Sequence, residues 1–192
     1  DERCTAPMVE EIDRVLRGGA EPPEAGFYIA NQMVLMGSWL RYSSGYPAYQ
    51  MRLFHTKRMR FIDVGHGQRE APGTRVGTLK HPYVHLNFSK GLDDWFARHN
   101  RYSTLEAAEA LKVLDEPLAL ADALKGGPDR RRALKRLAAR LPLRAPLRFW
   151  TTLLLQRGIL DGRAGVRYAK MLSVYESMIA LKVAERRRNK QG

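Results

Sequence analysis

Residues 63–102 read DVGHGQREAPGTRVGTLKHPYVHLNFSKGLDDWFARHNRY. His66, His81, His85 and His99 lie here, four of the chain's five histidines, with Glu70, Asp93, Asp94, Trp95, Arg98 and Arg101. No other stretch gathers as many groups able to move protons, bind metal or hold phosphate. Gly65, Gly67, Pro72 and Gly73 make its first part a loop, where chemistry often sits, and Tyr83–Phe88 follows as a strand. From Lys90 the pattern reads as helix to Leu114. Short strands followed by amphipathic helices give an α/β chain, α+β within the part seen here.

Each group in this stretch has two readings. A carboxylate such as Glu70, in a loop after a strand, can accept a proton from an attacking hydroxyl. A neutral His66 beside it can ligate a divalent metal or orient the carboxylate. The same residues also suit a polar loop without a role. His81 and His85, four apart on a strand, share a face that Asn87 continues; each alone is also an ordinary structural histidine. Trp95, His99 and Tyr102 follow i, i+4, i+7 with Arg98 beside them, so one helix face offers stacking surface and charge. Arg98 and Arg101 have the spacing to grip a diphosphate in bidentate fashion. Arg98 equally pairs with Asp94, and Trp95 equally fits a core. Ser103-x-x-Glu106 has the form of a capping box, which would start a second helix there.

Upstream, Thr5–Arg17 reads as a helix, with Thr5 as cap, Pro7 in the first turn and Val9, Ile12, Val15 and Leu16 at helical spacing. Gly26–Leu40 reads as β structure with a turn near Gly37, and Arg41–Pro47 as a loop. Tyr49–Phe54 alternates, with Tyr49, Met51 and Leu53 on one face and Gln50 and Arg52 on the other. Met59–Ile62 is a short strand. Downstream, Pro117 and Gly126-Gly127-Pro128 mark a division. Asp129–Leu141 is a basic amphipathic helix, which Pro142 and Pro146 end. Leu147–Gln156 is apolar, but its ten residues fall short of the about 20 that span a membrane. After a turn through Gly165, Val166–Arg187 is a long helix with Tyr168, Leu172, Tyr175 and Ile179 on one stripe.

The 192 residues are 44% hydrophobic, enough for a core, and the one cysteine, Cys4, excludes an internal disulfide and a cysteine zinc site. The net charge of +13 is unevenly placed: residues 129–192 hold 17 Lys and Arg against 4 Asp and Glu, while residues 1–128 hold 16 of each. A basic third beside a neutral two-thirds points to a polyanionic surface or to a solvated helical face. There is no Walker loop, no GxGxxG and no serine elbow. The opening DERCTAPMVEEI reads as the interior of a longer chain whose upstream half is missing.

The ordered segments DERCT, GSWLRYSSGYPAYQMRLFHTKRMRF, HGQRE, HPYVHLNFSKGLDDWFARHNRYSTLEA and RGILDGRAGVRYAKMLSVYESM resemble the C-terminal half of bacterial family 2 glycosyltransferases. Among these it is similar to those of colanic-acid, exopolysaccharide and lipopolysaccharide-core synthesis. The resemblance implies a GT-A fold, whose Rossmann-like half holds the nucleotide-sugar and lies upstream. It implies that Asp1 ends a D-x-D motif and helps bind a divalent metal, Mg or Mn, on the donor diphosphate. Relatives carry an adjacent His-Glu where this chain has His66 to Glu70. By that match Glu70 is the general base, Asp63 the second candidate, and His66 a metal or orienting partner. His81, His85, Trp95, Arg98, His99, Arg101 and Tyr102 would face donor or acceptor.

The function so implied is an inverting transfer from a nucleotide-sugar to a lipid-linked or polysaccharide acceptor, with this piece inactive alone. Residues 1–115 would be the acceptor-side half of the catalytic domain. Residues 116–192 would form a basic helical region on the anionic inner face of the cytoplasmic membrane. The alternative is a non-enzymatic basic module that binds nucleic acid or anionic membrane through residues 129–192. For nucleic acid its support is charge alone, with no recognised binding motif.

Overall fold

The computed structural model describes residues 1–19, 21–64, 67–115 and 143–191. The chain is mixed α/β and divides into two compact units, Asp1–Lys90 with Gln156–Gly165, and Gly91–Leu155 with Val166–Gly192. The division expected near residue 115 therefore falls at Gly91. The physical reason is packing: Ala107 and Leu111 share a core with Ile179 and Val183, so the helix after Gly91 belongs with the C-terminal helices.

The first unit is built on one long strand. Its elements are β1 (Glu2–Arg3), α1 (Ala6–Arg17), β2 (Gly26–Leu35), β3 (Ser38–Trp39), β4 (Ala48–Phe54), β5 (Phe61–Val64), β6 (Gly67–Glu70), β7 (Val76–Thr78) and β8 (Tyr83–His85). Along one edge of β2 run β4 and β3, both antiparallel to it. Along the other run β7, level with Gly26–Tyr28, and β8, level with Asn31–Met33, both parallel. Antiparallel β1 completes the sheet beyond β8. β5 and β6 form a ladder of their own.

Helix α1 forms as the sequence predicts. The Thr5 hydroxyl oxygen accepts from Met8 N at 3.3 Å, and Pro7 sits in the first turn, where a missing N–H costs nothing. Met8 then joins Ile29, Leu79 and Tyr83 in a core that Ile12, Val15, Phe27 and Leu53 cover. Burying each such side chain contributes about 1.5–3 kcal/mol. One charged residue shares this face. The Glu11 carboxylate accepts from the N–H groups of Lys80 (2.9 Å) and His81 (2.9 Å) and lies 2.9 Å from His81 Nδ1.

Several expectations change here. The alternation of Tyr49–Phe54 is interrupted by a bulge: Leu53 faces Phe27 and Met51 faces Tyr28, leaving Arg52 over, and Tyr49 is exposed while Met51 and Leu53 are half-buried. The strand expected at Met59–Ile62 begins at Phe61, since Met59 is folded into the core. The connection expected as loop contains β6 and β7. β8 ends at His85, because a turn closed by Ser89 N to Leu86 O takes over. His81 and Asn87 thus lie outside the strand, and the same-face row His81, His85, Asn87 does not exist.

In the second unit α2 (Gly91–Asp115) runs unbroken. Ser103 does not cap a new helix. It is fully buried, and its hydroxyl donates back to Asn100 O at 2.8 Å while Lys182 Nζ donates to Ser103, Thr104 and the Asn100 side chain. Pro146 lies in the first turn of the next helix, α3 (Arg144–Trp150), where its missing N–H costs nothing. α3 continues into a π-helical turn, Thr151–Leu155. The helix expected at Asp129–Leu141 lies outside the described residues. The last helix, α4 (Gly162–Gln191), bears the expected inward stripe. Among the described residues no helix is long and apolar enough to cross a membrane.

The LDGRAG segment joins the first unit through one carboxylate. Asp161 ends a short 3-10 turn, Gly158–Asp161, and accepts from the N–H groups of Arg41 (3.1 Å), Tyr42 (3.1 Å) and Ser43 (2.7 Å) and from the Ser43 hydroxyl (2.6 Å). Glycine is required nearby. Gly162 has φ of 62°, and a Cβ on Gly165 would meet Gly158 O at 1.9 Å.

Candidate functional site

The register of the sheet sorts the expected site residues by position. Asp1 precedes the Glu2–His85 pair, and its carbonyl accepts from Leu86 N at 2.7 Å. It therefore stands level with Val34, at the carboxyl ends of the parallel strands β2 and β8. Its carboxylate accepts from the Ser89 hydroxyl at 2.6 Å.

Beside Asp1 lies a polar network that spans the sheet. The bulged Arg52 reaches from β4 to β1 and donates to Glu2, from Nε at 2.9 Å and from Nη2 at 2.8 Å. On the way its guanidinium passes 5.7 Å from the centre of the Tyr83 ring. The Tyr83 hydroxyl donates to the Gln50 amide oxygen at 2.7 Å. Burial pushes the Glu2 carboxyl up, but hydrogen bonds and charge from Arg52, with His85 nearby, outweigh it and hold its pKa below the ordinary value. Burial likewise raises the Tyr83 hydroxyl. Asn31 pairs with Tyr83 across the ladder, so the two side chains share a face. Asn31 is buried, and its Oδ1 has no hydrogen-bond partner among the described residues. A buried acceptor without a donor is rare.

Glu70 is elsewhere. It ends β6 opposite Phe61, and it hydrogen-bonds the Tyr28 hydroxyl near the start of β2. That bond holds the Glu70 pKa low and pushes the Tyr28 hydroxyl up. From the level of Tyr28 to that of Val34, β2 runs six residues, about 20 Å. Glu70 is thus tied to the start of β2, while Asp1 stands level with Val34 near its end. Asp63 lies on the same hairpin, opposite Gln68, with its side chain outside the described set; His66 lies outside the described residues altogether.

His81 and His85 belong to one unit and the aromatic helix face to the other. His81 turns to Glu11, which makes it part of the α1 anchor. His85 is half-buried at the Asp1 end, its ring 6.2 Å from that of Tyr83. In the second unit Trp95 is 1% exposed, so its ring serves the core and is no open stacking surface. His99 stacks on it at 3.6 Å, with Tyr175 at 5.0 Å and Tyr102 at 5.7 Å edge-on. Burial, with the nearby Arg98 charge, lowers the His99 pKa against the opposing pull of Trp95 O, 2.8 Å from Nδ1, which disfavours the charged imidazolium. Arg98 Nε is 2.8 Å from Asp94 Oδ2, the ion pair weighed as its other reading. Arg101 and Tyr102 are exposed.

Among the described residues no three His, Cys, Asp or Glu side chains are placed to hold one ion. Asp1 offers a single carboxylate, so these residues alone do not fit a complete divalent-metal site. The sequence pattern also passed over Glu2, Asn31, Gln50 and Arg52. The one signal for them was the polar face of β4, where Gln50 and Arg52 alternate with Met51. Comparison of the chain with protein-family models, curated proteins and solved structures finds no match in any of the three.

Proposed function

We propose that the chain is the acceptor-side half of an inverting family 2 glycosyltransferase of GT-A type. It would move a sugar from a nucleotide-sugar donor to a lipid-linked or polysaccharide acceptor, on the inner face of the cytoplasmic membrane. One observation carries the reading: Asp1, the end of the resembled D-x-D, stands at the carboxyl ends of β2 and β8, beside the network of Glu2, Arg52 and Tyr83 and the unpartnered Asn31 oxygen. Ligands of open α/β sheets bind at the carboxyl ends of parallel strands.

The chemistry needs one base to take the acceptor's proton and preorganised groups to stabilise the departing diphosphate. Inversion by direct attack needs no second carboxylate as nucleophile. The Arg52–Glu2 pair is ionised and fixes the sheet face on which the sugar and the acceptor would lie. Glu70, the base that the resemblance implies, is held by the Tyr28 hydroxyl near the start of β2.

The test is sugar transfer by this chain continued upstream through its natural sequence. Asp1→Asn is expected to cut turnover by about 100-fold or more, as loss of one electrostatic contact to a reacting group does, with Glu70→Gln within about threefold of wild type. A loss of about 10²–10⁴-fold in Glu70→Gln would put the base on the β5–β6 hairpin and overturn the assignment to the Asp1 end. No transfer from any nucleotide-sugar by the wild type refutes the reading.

A further inference from the structure

Leu143 (68% exposed), Leu147 (46%), Trp150 (53%), Leu154 (55%) and Leu155 (79%) are large apolar side chains open to solvent within 13 residues. The first three follow i, i+4, i+7 and so share one side of α3. In an α-helix Leu155 would leave that side. The π-helical turn Thr151–Leu155 has i→i+5 hydrogen bonds, so Leu155, five residues after Trp150, returns to it. The same turn buries Thr152 and Leu153 on the inner side. The wider turn thus lengthens the outer apolar stripe while keeping the inner contacts.

We propose that this stripe, Leu143 to Leu155, docks in the interface of an anionic lipid bilayer, lying in its plane. Four properties point to lipid. The 12 residues from Arg144 to Leu155 extend about 18 Å as helix, too short for a hydrocarbon core of about 30 Å but suited to lying along its boundary. A tryptophan stands among the leucines, at the depth where indole rings settle. The segment holds no acidic residue; of its two arginines, Arg144 is paired with Glu176 at 2.8 Å, which leaves Arg148 as its uncompensated charge. Residues 129–192 carry 17 basic against 4 acidic groups, the complement of an anionic headgroup layer. A second copy would set the same basic surface, 17 basic against 4 acidic groups, against itself, which like charge disfavours. A nucleic acid would meet the arginines but gain nothing from the leucines. The inference deepens the membrane partner proposed above and does not depend on sugar transfer.

The experiment is flotation of the 192-residue chain with vesicles of phosphatidylcholine, with and without phosphatidylglycerol. Wild type is expected to float with the mixed vesicles and weakly with phosphatidylcholine alone. Leu147→Gln with Trp150→Gln is expected to weaken the partition by about tenfold per side chain. Both residues are solvent-exposed, and an unchanged thermal melt of the variant confirms that it folds. In a Trp39→Phe background, Trp150 emission is expected to shift to the blue on vesicle addition. Flotation of the double variant equal to wild type would assign binding to charge alone and overturn the proposal. So would a wild type that fails to float, or one that binds duplex DNA in preference to anionic vesicles. Loss of transferase activity with flotation intact leaves the docking inference standing.

Discussion

Asp161→Ala is expected to destabilise the chain by about 3–4 kcal/mol. The carboxylate accepts from three consecutive backbone N–H groups and one hydroxyl. Hydrogen bonds to a charged group contribute about 1.5–3 kcal/mol each, and water recovers part of that at the more exposed Arg41. The loss also frees a loop closed over 118 residues, from Ser43 to Asp161. Asp161→Asn keeps one acceptor oxygen but turns an NH2 toward donors, so about half of the loss is expected. The measurement is the urea midpoint at unchanged slope. A drop of less than about 1 kcal/mol in the alanine variant would mean that the contact with residues 41–43 is incidental. Gly165→Ala tests the same clasp from the other side. Its Cβ would lie 1.9 Å from Gly158 O, so the turn that presents Asp161 has to move.

What the sequence made legible follows from how far apart the partners lie. The Thr5 cap and Pro7 of α1 are settled within a few residues, and the structure keeps them; of its four apolar positions Ile12 and Val15 pack on the core while Val9 and Leu16 are exposed. The same holds for the long strand β2 and the turn at Gly37. The hairpin β5–β6 was hidden behind glycines that read as loop. The capping-box reading of Ser103 failed because Lys182, 79 residues away, supplies a donor that favours the helical back-bond. In the candidate site, Asp1 was named from the resemblance and His85 from strand pattern, and the two stand at one end of the sheet. Glu70 was joined to them by nearness in the chain and by resemblance, and the parallel register of β7 and β8 on β2 separates it from them. Register is a property of pairing, so no window along the chain reveals it. The Glu2–Arg52 bridge was invisible for the same reason.

The Glu11 carboxylate sets how the chain responds to acid. Glu11 is 8% exposed and anchors α1 to the Lys80–His81 backbone, 69 residues away. Glu11→Ala is expected to cost about 2–3 kcal/mol, since it removes the charged acceptor of two part-buried N–H groups and of the His81 ring. Burial alone would raise the Glu11 pKa, but the N–H groups of Lys80 and His81 and the His81 ring outweigh it and hold the value below its ordinary 4.5. The proton therefore binds more tightly to the unfolded chain than to the folded one. The stability this carboxylate contributes is fully present above pH 4.5 and is lost as the pH falls through the lower, folded value. Glu11→Gln keeps one acceptor and cannot titrate. The stability gap between wild type and this variant, measured by urea unfolding, is expected to stay constant from about pH 6 to 8 and to close below about 4.5. A gap that stays constant down to about pH 3 would mean that Glu11 binds protons equally in both states, and that the clasp on Lys80 and His81 is not what holds α1 to the sheet.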